Sequence, residues 1–142
     1  MSAVPASFAL AIGLGCKSNC SAKAIVTLVR SALAQAGEEG PAALFTMEAK
    51  RGESGLALAA AELALPLFFL PLSALQGVAG LAQTRSAKVI ALFGVPSIAE
   101  TAALAGAGPA ATLIVPRIKA GGAACAIARA AIVEPVERYD AT

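Results

Sequence analysis

Three mainly apolar runs set the folding problem for this chain: Phe8 to Leu14, Ala43 to Met47 and Leu67 to Leu70. Each is short, each ends in glycine, polar residues or proline, and apolar side chains then return at helical spacing. After the first run, Ile25, Leu28, Val29, Ala32, Leu33 and Ala36 mark one helix face, with Ser21 as the expected N-cap and Gly37 as the stop. After the second, Leu56, Ala59, Ala60 and Leu63 mark another. A strand that is apolar on both faces needs cover on both sides, so helices must flank a central sheet.

Beyond the third run, Ser73 and Gln76 read as a capping box that opens a short helix. Ser86 is the expected cap of a segment carrying Val89, Ile90 and Phe93 and stopped by Gly94. Ser97 and Glu100 read as a second capping box, with a helix that fades between Gly106 and Pro109. Thr112 to Val115 and Ala124 to Val133 are further strand candidates. The intervening "PRIKAGGA" is too short for a crossover helix, so an antiparallel hairpin or wide loop is expected there. The expected fold is α/β: a three-layer α/β/α single domain over residues 1–142, with a mixed, mostly parallel sheet of about five strands.

Composition then removes several classes of function. Leu63 to Thr84 carries no charge and has the length of a membrane span, but Pro66 and Pro71 break it and Ser73, Gln76 and Gln83 interrupt its apolar surface. No Lys or Arg precedes the first apolar run, which argues against a secretory leader and for a cytoplasmic protein. A scattered net charge of +2 with only 4% aromatic residues argues against nucleic acid as a partner. Cys16, Cys20 and Cys125 are expected to be free thiols. Histidine is absent, which removes the commonest general base and the commonest zinc ligand. Cys16 and Cys20 with one distant cysteine fall short of four metal ligands, so neither a metal nor a cofactor is expected.

What remains are the loops that leave the strands, where free amides and helix dipoles favour anions. Gly13, Gly15, Cys16, Lys17, Ser18 and Ser21 read either as a plain glycine turn or as a loop that holds a phosphate or carboxylate. The third glycine of a dinucleotide loop is missing. Cys16, just before a helix, is either a small loop filler or a thiol of lowered pKa. Lys50 and Glu53 would orient a substrate or form a solvated ion pair. Thr84, Ser86, Gly94, Ser97 and Glu100 cluster at helix ends, where capping competes with binding. Arg117 and Lys119, beside Gly121 and Gly122, suggest a mobile basic lip.

Taken in order, "GLGCKSNCSAKAI", "KRGESGL", "TRSAKV", "GVPSIAETAAL" and "LIVPRIKAGGAACAIARA" resemble the CobE family, equivalent to the C-terminal domain of CbiG, of cobalamin biosynthesis. The resemblance covers nearly the whole chain. It implies an α/β/α fold and a role in making the corrin ring of vitamin B12. CbiG proteins open a ring lactone and release acetaldehyde, but the chain matches only their C-terminal portion. The resemblance therefore favours binding or carrying a corrinoid or precorrin intermediate through its carboxylates. Gly13, Gly15, Cys16, Lys17, Ser18 and Ser21 would lie at one end of the cleft, with Lys50, Glu53 and the helix-end cluster nearby and Arg117 and Lys119 closing over it. The alternatives are lactone hydrolysis with Glu53 or Glu100 as base, and a scaffold that docks other cobalamin-biosynthesis enzymes. Two departures from the family pattern stand out. Lys17 replaces the usual arginine and loses its bidentate fork, and Ala124 brings a methyl group where relatives tend to bring a threonine hydroxyl.

Overall fold

Along Leu10–Cys16 large and small residues alternate, and because successive strand residues point to opposite faces, the alternation gives the central strand one bulky face and one nearly bare one. In the computed structural model, which describes residues 8–131, Leu10, Ile12 and Leu14 pack on one side while Ala11, Gly13 and Gly15 lie on the other. The elements run β1 (Leu10–Cys16), α1 (Ala22–Ala36), β2 (Ala42–Met47), α2 (Ser54–Leu63), β3 (Leu67–Leu70), α3 (Leu72–Gln76), α4 (Ala87–Phe93), α5 (Ile98–Ala107), β4 (Thr112–Ala120) and β5 (Ala123–Arg129). The five strands form one sheet in the order β3-β2-β1-β5-β4. β1 pairs in parallel with β2, and β2 with β3, while β5 is antiparallel to both β1 and β4. Four strands thus point one way and β5 alone opposes them, which is the mixed α/β/α architecture expected.

The bulky face meets α1 and α2: Leu10, Ile12, Leu14, Leu44 and Ile127 bury against Ile25, Val29 and Leu56. The bare face meets α5. A Cβ added at Gly13 would run into the carbonyl oxygen of Ala99 and the amide nitrogen of Ala103, so the helix backbone lies directly on the strand. Gly106 makes the same allowance for the Phe45 ring. Gly13 therefore serves helix packing, and the ligand-approach role expected for it is replaced by this one.

Most helix ends are where the sequence puts them. Ser21 Oγ accepts from the Ala24 amide at 3.1 Å and Gly37 closes α1 in the left-handed region with φ 64°. Ser86 Oγ accepts from the Val89 amide at 3.3 Å, and Gly94 closes α4 with φ 73°. The two capping boxes need correction. α3 starts from Pro71 with Ser73 inside it, and Gln76 instead donates to the Phe93 carbonyl at 3.1 Å. Ser97 Oγ does accept from the Glu100 amide at 3.1 Å, but the Glu100 carboxylate turns to other partners.

The final hairpin is also tighter than expected. β4 continues through "PRIKA" and closes on Gly121 and Gly122, whose φ values of 61° and 84° suit a two-residue hairpin turn. Pro116 is tolerated because β4 is an edge strand with irregular register around it. Arg117 and Lys119 are therefore strand residues and do not form a mobile lip. Ile132 and Val133, expected in the last strand, and the tail from Glu134 lie outside the described residues. The uncharged stretch from Leu63 is divided into β3, α3 and a 3-10 turn at Ala79–Leu81. Among the described residues no single helix is long and apolar enough to cross a membrane.

The close approach of α5 makes a direct prediction. Gly13→Ala should lower stability by about 1–3 kcal/mol, since helix backbone cannot yield. At Gly15 a new methyl group would find Ile98 at an ordinary 3.5 Å. Gly15→Ala should therefore stay within about 0.5 kcal/mol. Urea unfolding midpoints measure both, and equal shifts would contradict the packing described.

Candidate functional site

The parallel strands β1 and β2 deliver their carboxyl ends to one edge of the sheet, where α/β folds gather ligands. A cleft of about 570 Å³ opens there. Gly15 and Cys16 from β1, Met47 from β2, and Ile98 and Ala99 from the start of α5 line it, as do Lys17 and Lys50 from the following loops. α4 and its cap supply Ser86, Lys88, Val89, Leu92 and Phe93. The β4–β5 hairpin supplies Arg117, Lys119 and the residues from Ala120 to Ala124.

Charge in this lining is one-sided. Lys17, Lys50, Lys88, Arg117 and Lys119 bring five cations, and among the described residues no Asp or Glu lines the cleft. Met47, Val89, Leu92, Phe93 and Ile98 supply apolar surface among them. Such a cleft suits a ligand with an apolar body and several negative substituents.

Of the residues singled out from the sequence, the structure brings Gly15, Cys16, Lys17, Lys50, Ser86, Arg117 and Lys119 to the cleft. The others lie outside its lining. Gly13 is under α5, Ser18 is exposed, Ser21 and Ser97 cap helices, and Gly94 stops α4. Glu53 accepts from the Asn19 amide at 2.8 Å, so the first loop directs an amide onto one of the chain's own carboxylates. The same loop is tied to the hairpin, because the Lys17 amide donates to the Gly122 carbonyl at 2.9 Å and Cys20 Sγ to the Gly121 carbonyl at 3.4 Å. The Lys17, Asn19 and Cys20 amides of this loop are thus engaged within the chain itself.

Sequence reasoning missed Lys88, Met47, Leu92 and Ala99. Val89 and Phe93, expected on one face of α4, pack against the edge of the core and also line the cleft, and no residue of α4 is fully buried. The available signal was that α4 sets Lys88 among apolar residues on a helix too short to bury its own apolar face.

Two of the shifted ionisable groups lie at or beside the cleft. Burial raises the Cys16 thiol, outweighing the nearby Lys50 charge that pulls it down, so the lowered thiol pKa considered from the sequence is not what the fold provides. Glu100 is wholly buried. One of its oxygens accepts from the Gln83 and Thr84 amides at 2.8 and 2.9 Å, and the other from the Thr84 hydroxyl at 2.7 Å and the Arg117 amide at 2.8 Å. Burial alone would raise its pKa. The amide of Arg117, the hydroxyl and amide of Thr84 and the amide of Gln83 together outweigh it, and the carboxyl is held below its usual range.

The family model described as the cobalamin synthesis G C-terminus matches residues 10–128. The chain belongs to this family. Its membership makes it a protein of cobalamin biosynthesis. A relative, the protein CobE of Sinorhizobium sp, is 34% identical over 134 residues, which is 93% of this chain and 87% of the relative. A crystal structure of CobE, described as a protein from the cobalamin (vitamin B12) biosynthetic pathway, superposes with a TM-score of 0.79 at 32% identity, covering 89% of this chain and 93% of the other. The cobalamin biosynthesis protein chiG of Agrobacterium tumefaciens gives a TM-score of 0.66 at 31% identity, covering 87% and 99%.

Thiol chemistry offers a check on this site. Iodoacetamide at neutral pH should alkylate Cys16 more slowly than free cysteine and should leave Cys125, whose pKa burial pushes up to about 12, untouched in the native protein. Above the ordinary thiol value of 9.0 the native state keeps a Cys125 proton that the unfolded chain releases, so this thiol favours unfolding as pH rises. Its contribution should fall by about 1.4 kcal/mol per pH unit until the native thiol also ionises. Labelling by peptide mass and urea unfolding across pH measure these. Rapid native labelling of Cys125 would contradict the burial.

Proposed function

We propose that the cleft binds a polycarboxylated tetrapyrrole, a corrinoid or precorrin intermediate of cobalamin biosynthesis, as an accessory or carrier protein and not as a catalyst. The observation that carries this reading is the set of five cations around an apolar lining, with no carboxylate from the described residues among them. Corrin precursors present the complement: a broad apolar ring edged with acetate and propionate groups.

Magnitudes say that neither half suffices alone. Solvent-exposed ion pairs contribute about 0.2–1 kcal/mol each, so five of them fall short of the roughly 8 kcal/mol that micromolar affinity requires. Burial of the ring against Val89, Leu92, Phe93 and Ile98 must supply the rest. Leu92 is 62% exposed in the free protein and would be covered in such a complex. The cleft is open, so the ring would enter edge-on and leave without a large rearrangement, which suits delivery.

The hydrolase alternative asked Glu53 or Glu100 to activate water. Neither lines the cleft, and the Glu100 oxygens already accept four hydrogen bonds. No feature of the structure favours the scaffold alternative over binding.

Titration with hydrogenobyrinic acid, followed by absorbance and calorimetry, tests the proposal. Saturable binding should weaken as salt rises. It should also weaken about tenfold or more in a Lys88→Ala/Arg117→Ala double variant. No spectral or heat change with this ligand would defeat the reading, and release of acetaldehyde from a lactone-bearing precorrin would replace it with the hydrolase.

A further inference from the structure

Two elements that line the cleft have no continuous packing between them. α4 carries Lys88 and has no fully buried residue; β4 carries Arg117 and Lys119 at the sheet edge. Both are tied to one side chain. Glu100, rooted in the first turn of α5, directs one oxygen at the Gln83 and Thr84 amides, in the segment that leads to Ser86 and α4. Its other oxygen takes the Arg117 amide of β4 as well as the Thr84 hydroxyl.

We propose that Glu100 is a positioning residue of the cleft, a buried carboxylate strut that fixes the spacing between the cations of α4 and those of β4 and thereby sets the affinity for a carboxylated ligand. The affinity consequence rests on the binding function proposed above; the strut itself does not. A carboxylate is suited to this task because it accepts on both oxygens and donates on neither. Its charge is met by neutral amides and a hydroxyl. The ion pairs recorded among the described residues are Arg51 with Glu48 and Arg129 with Glu38, so Glu100 does not neutralise the Arg117 guanidinium that lines the cleft. It holds Arg117 by the backbone and leaves the side chain for the ligand. An apolar residue at this position would leave the Gln83, Thr84 and Arg117 amides without their acceptor, so the link between the two elements needs the carboxylate itself.

Among the described residues α4 has two other polar attachments, the Ser86 amide on the Pro96 carbonyl at 2.9 Å and Gln76 on the Phe93 carbonyl. Both lead to the α3 and α5 side of the fold, and neither reaches β4. Loss of the Glu100 carboxylate should therefore separate α4 from β4 without releasing either from the domain.

The test compares Glu100→Gln and Glu100→Asp with Val29→Ala, which opens a cavity under α1 on the opposite face of the sheet and lowers stability without touching the strut. Glu100→Gln turns a donor toward amide donors, and Glu100→Asp keeps the charge but shortens the reach. Each should weaken hydrogenobyrinic acid binding by about tenfold at a temperature where it is fully folded. Each should also lose hydrogen-exchange protection at the Thr84 and Arg117 amides without ligand. Val29→Ala should bind within about twofold of wild type and keep that protection. If neither Glu100 variant folds, Thr84→Val removes the hydroxyl bond alone and should weaken binding by about threefold.

Wild-type affinity in folded Glu100 variants overturns the proposal. So does an equal loss of affinity in Val29→Ala, which would make the effect one of global stability. If the wild type does not bind the ring at all, the binding function fails and the affinity consequence with it. The ligand-free exchange measurement then decides the strut, and unchanged protection at Thr84 and Arg117 in Glu100→Gln overturns it.

Discussion

The contact on which the rest of the structure depends is the backbone of α5 laid against β1 at Gly13. A helix normally stands off a sheet by the depth of its side chains. Here Gly13 on the strand and Ala99 and Ala103 on the helix remove that depth. The first turn of α5 therefore lies close to the carboxyl end of the sheet, bringing Ile98 and Ala99 to the cleft and placing Glu100 between the segment before α4 and strand β4. A bulkier residue at 13 would displace the helix and with it the floor of the cleft and its strut.

The cations illustrate how global charge conceals local charge. Eleven basic and nine acidic residues give a net charge of only +2. Yet five of the basic residues, drawn from the first loop, the link after β2, α4 and β4, converge on one cleft that no acidic residue among those described lines. The separation of sign is spatial and not sequential. Long-range attraction of a polyanion follows from such a local field even when the whole molecule is nearly neutral.

Strands and caps were legible because they rest on local physics. Ser21, Ser86, Gly37 and Gly94 sit where orphan amides and left-handed backbone require them, and the bounds of β3 match its apolar run. What escaped sequence reasoning was decided by distant partners. Glu100 three residues after Ser97 has the spacing of a capping box, but Thr84 and Arg117 offer the carboxylate better company. Pro116 looked like the end of a strand, and only its place at the sheet edge lets β4 pass through it. Gly13 and Gly15 looked alike in a loop motif. One faces helix backbone and the other faces the cleft, a difference that depends on which helix lands above them.

The absence of any fully buried residue in α4 has a consequence for how this protein fails. The apolar stripe of α4 is shared between the edge of the domain core and the cleft, so the helix draws little of its stability from the central sheet. A helix held by a handful of polar attachments and little buried surface is expected to open at a lower free energy than the domain as a whole. Heat, denaturant or mutation can therefore dismantle one side of the cleft while every strand remains paired. Far-ultraviolet ellipticity, dominated by the sheet and the longer helices, would record a nearly intact protein at the moment its cleft had come apart.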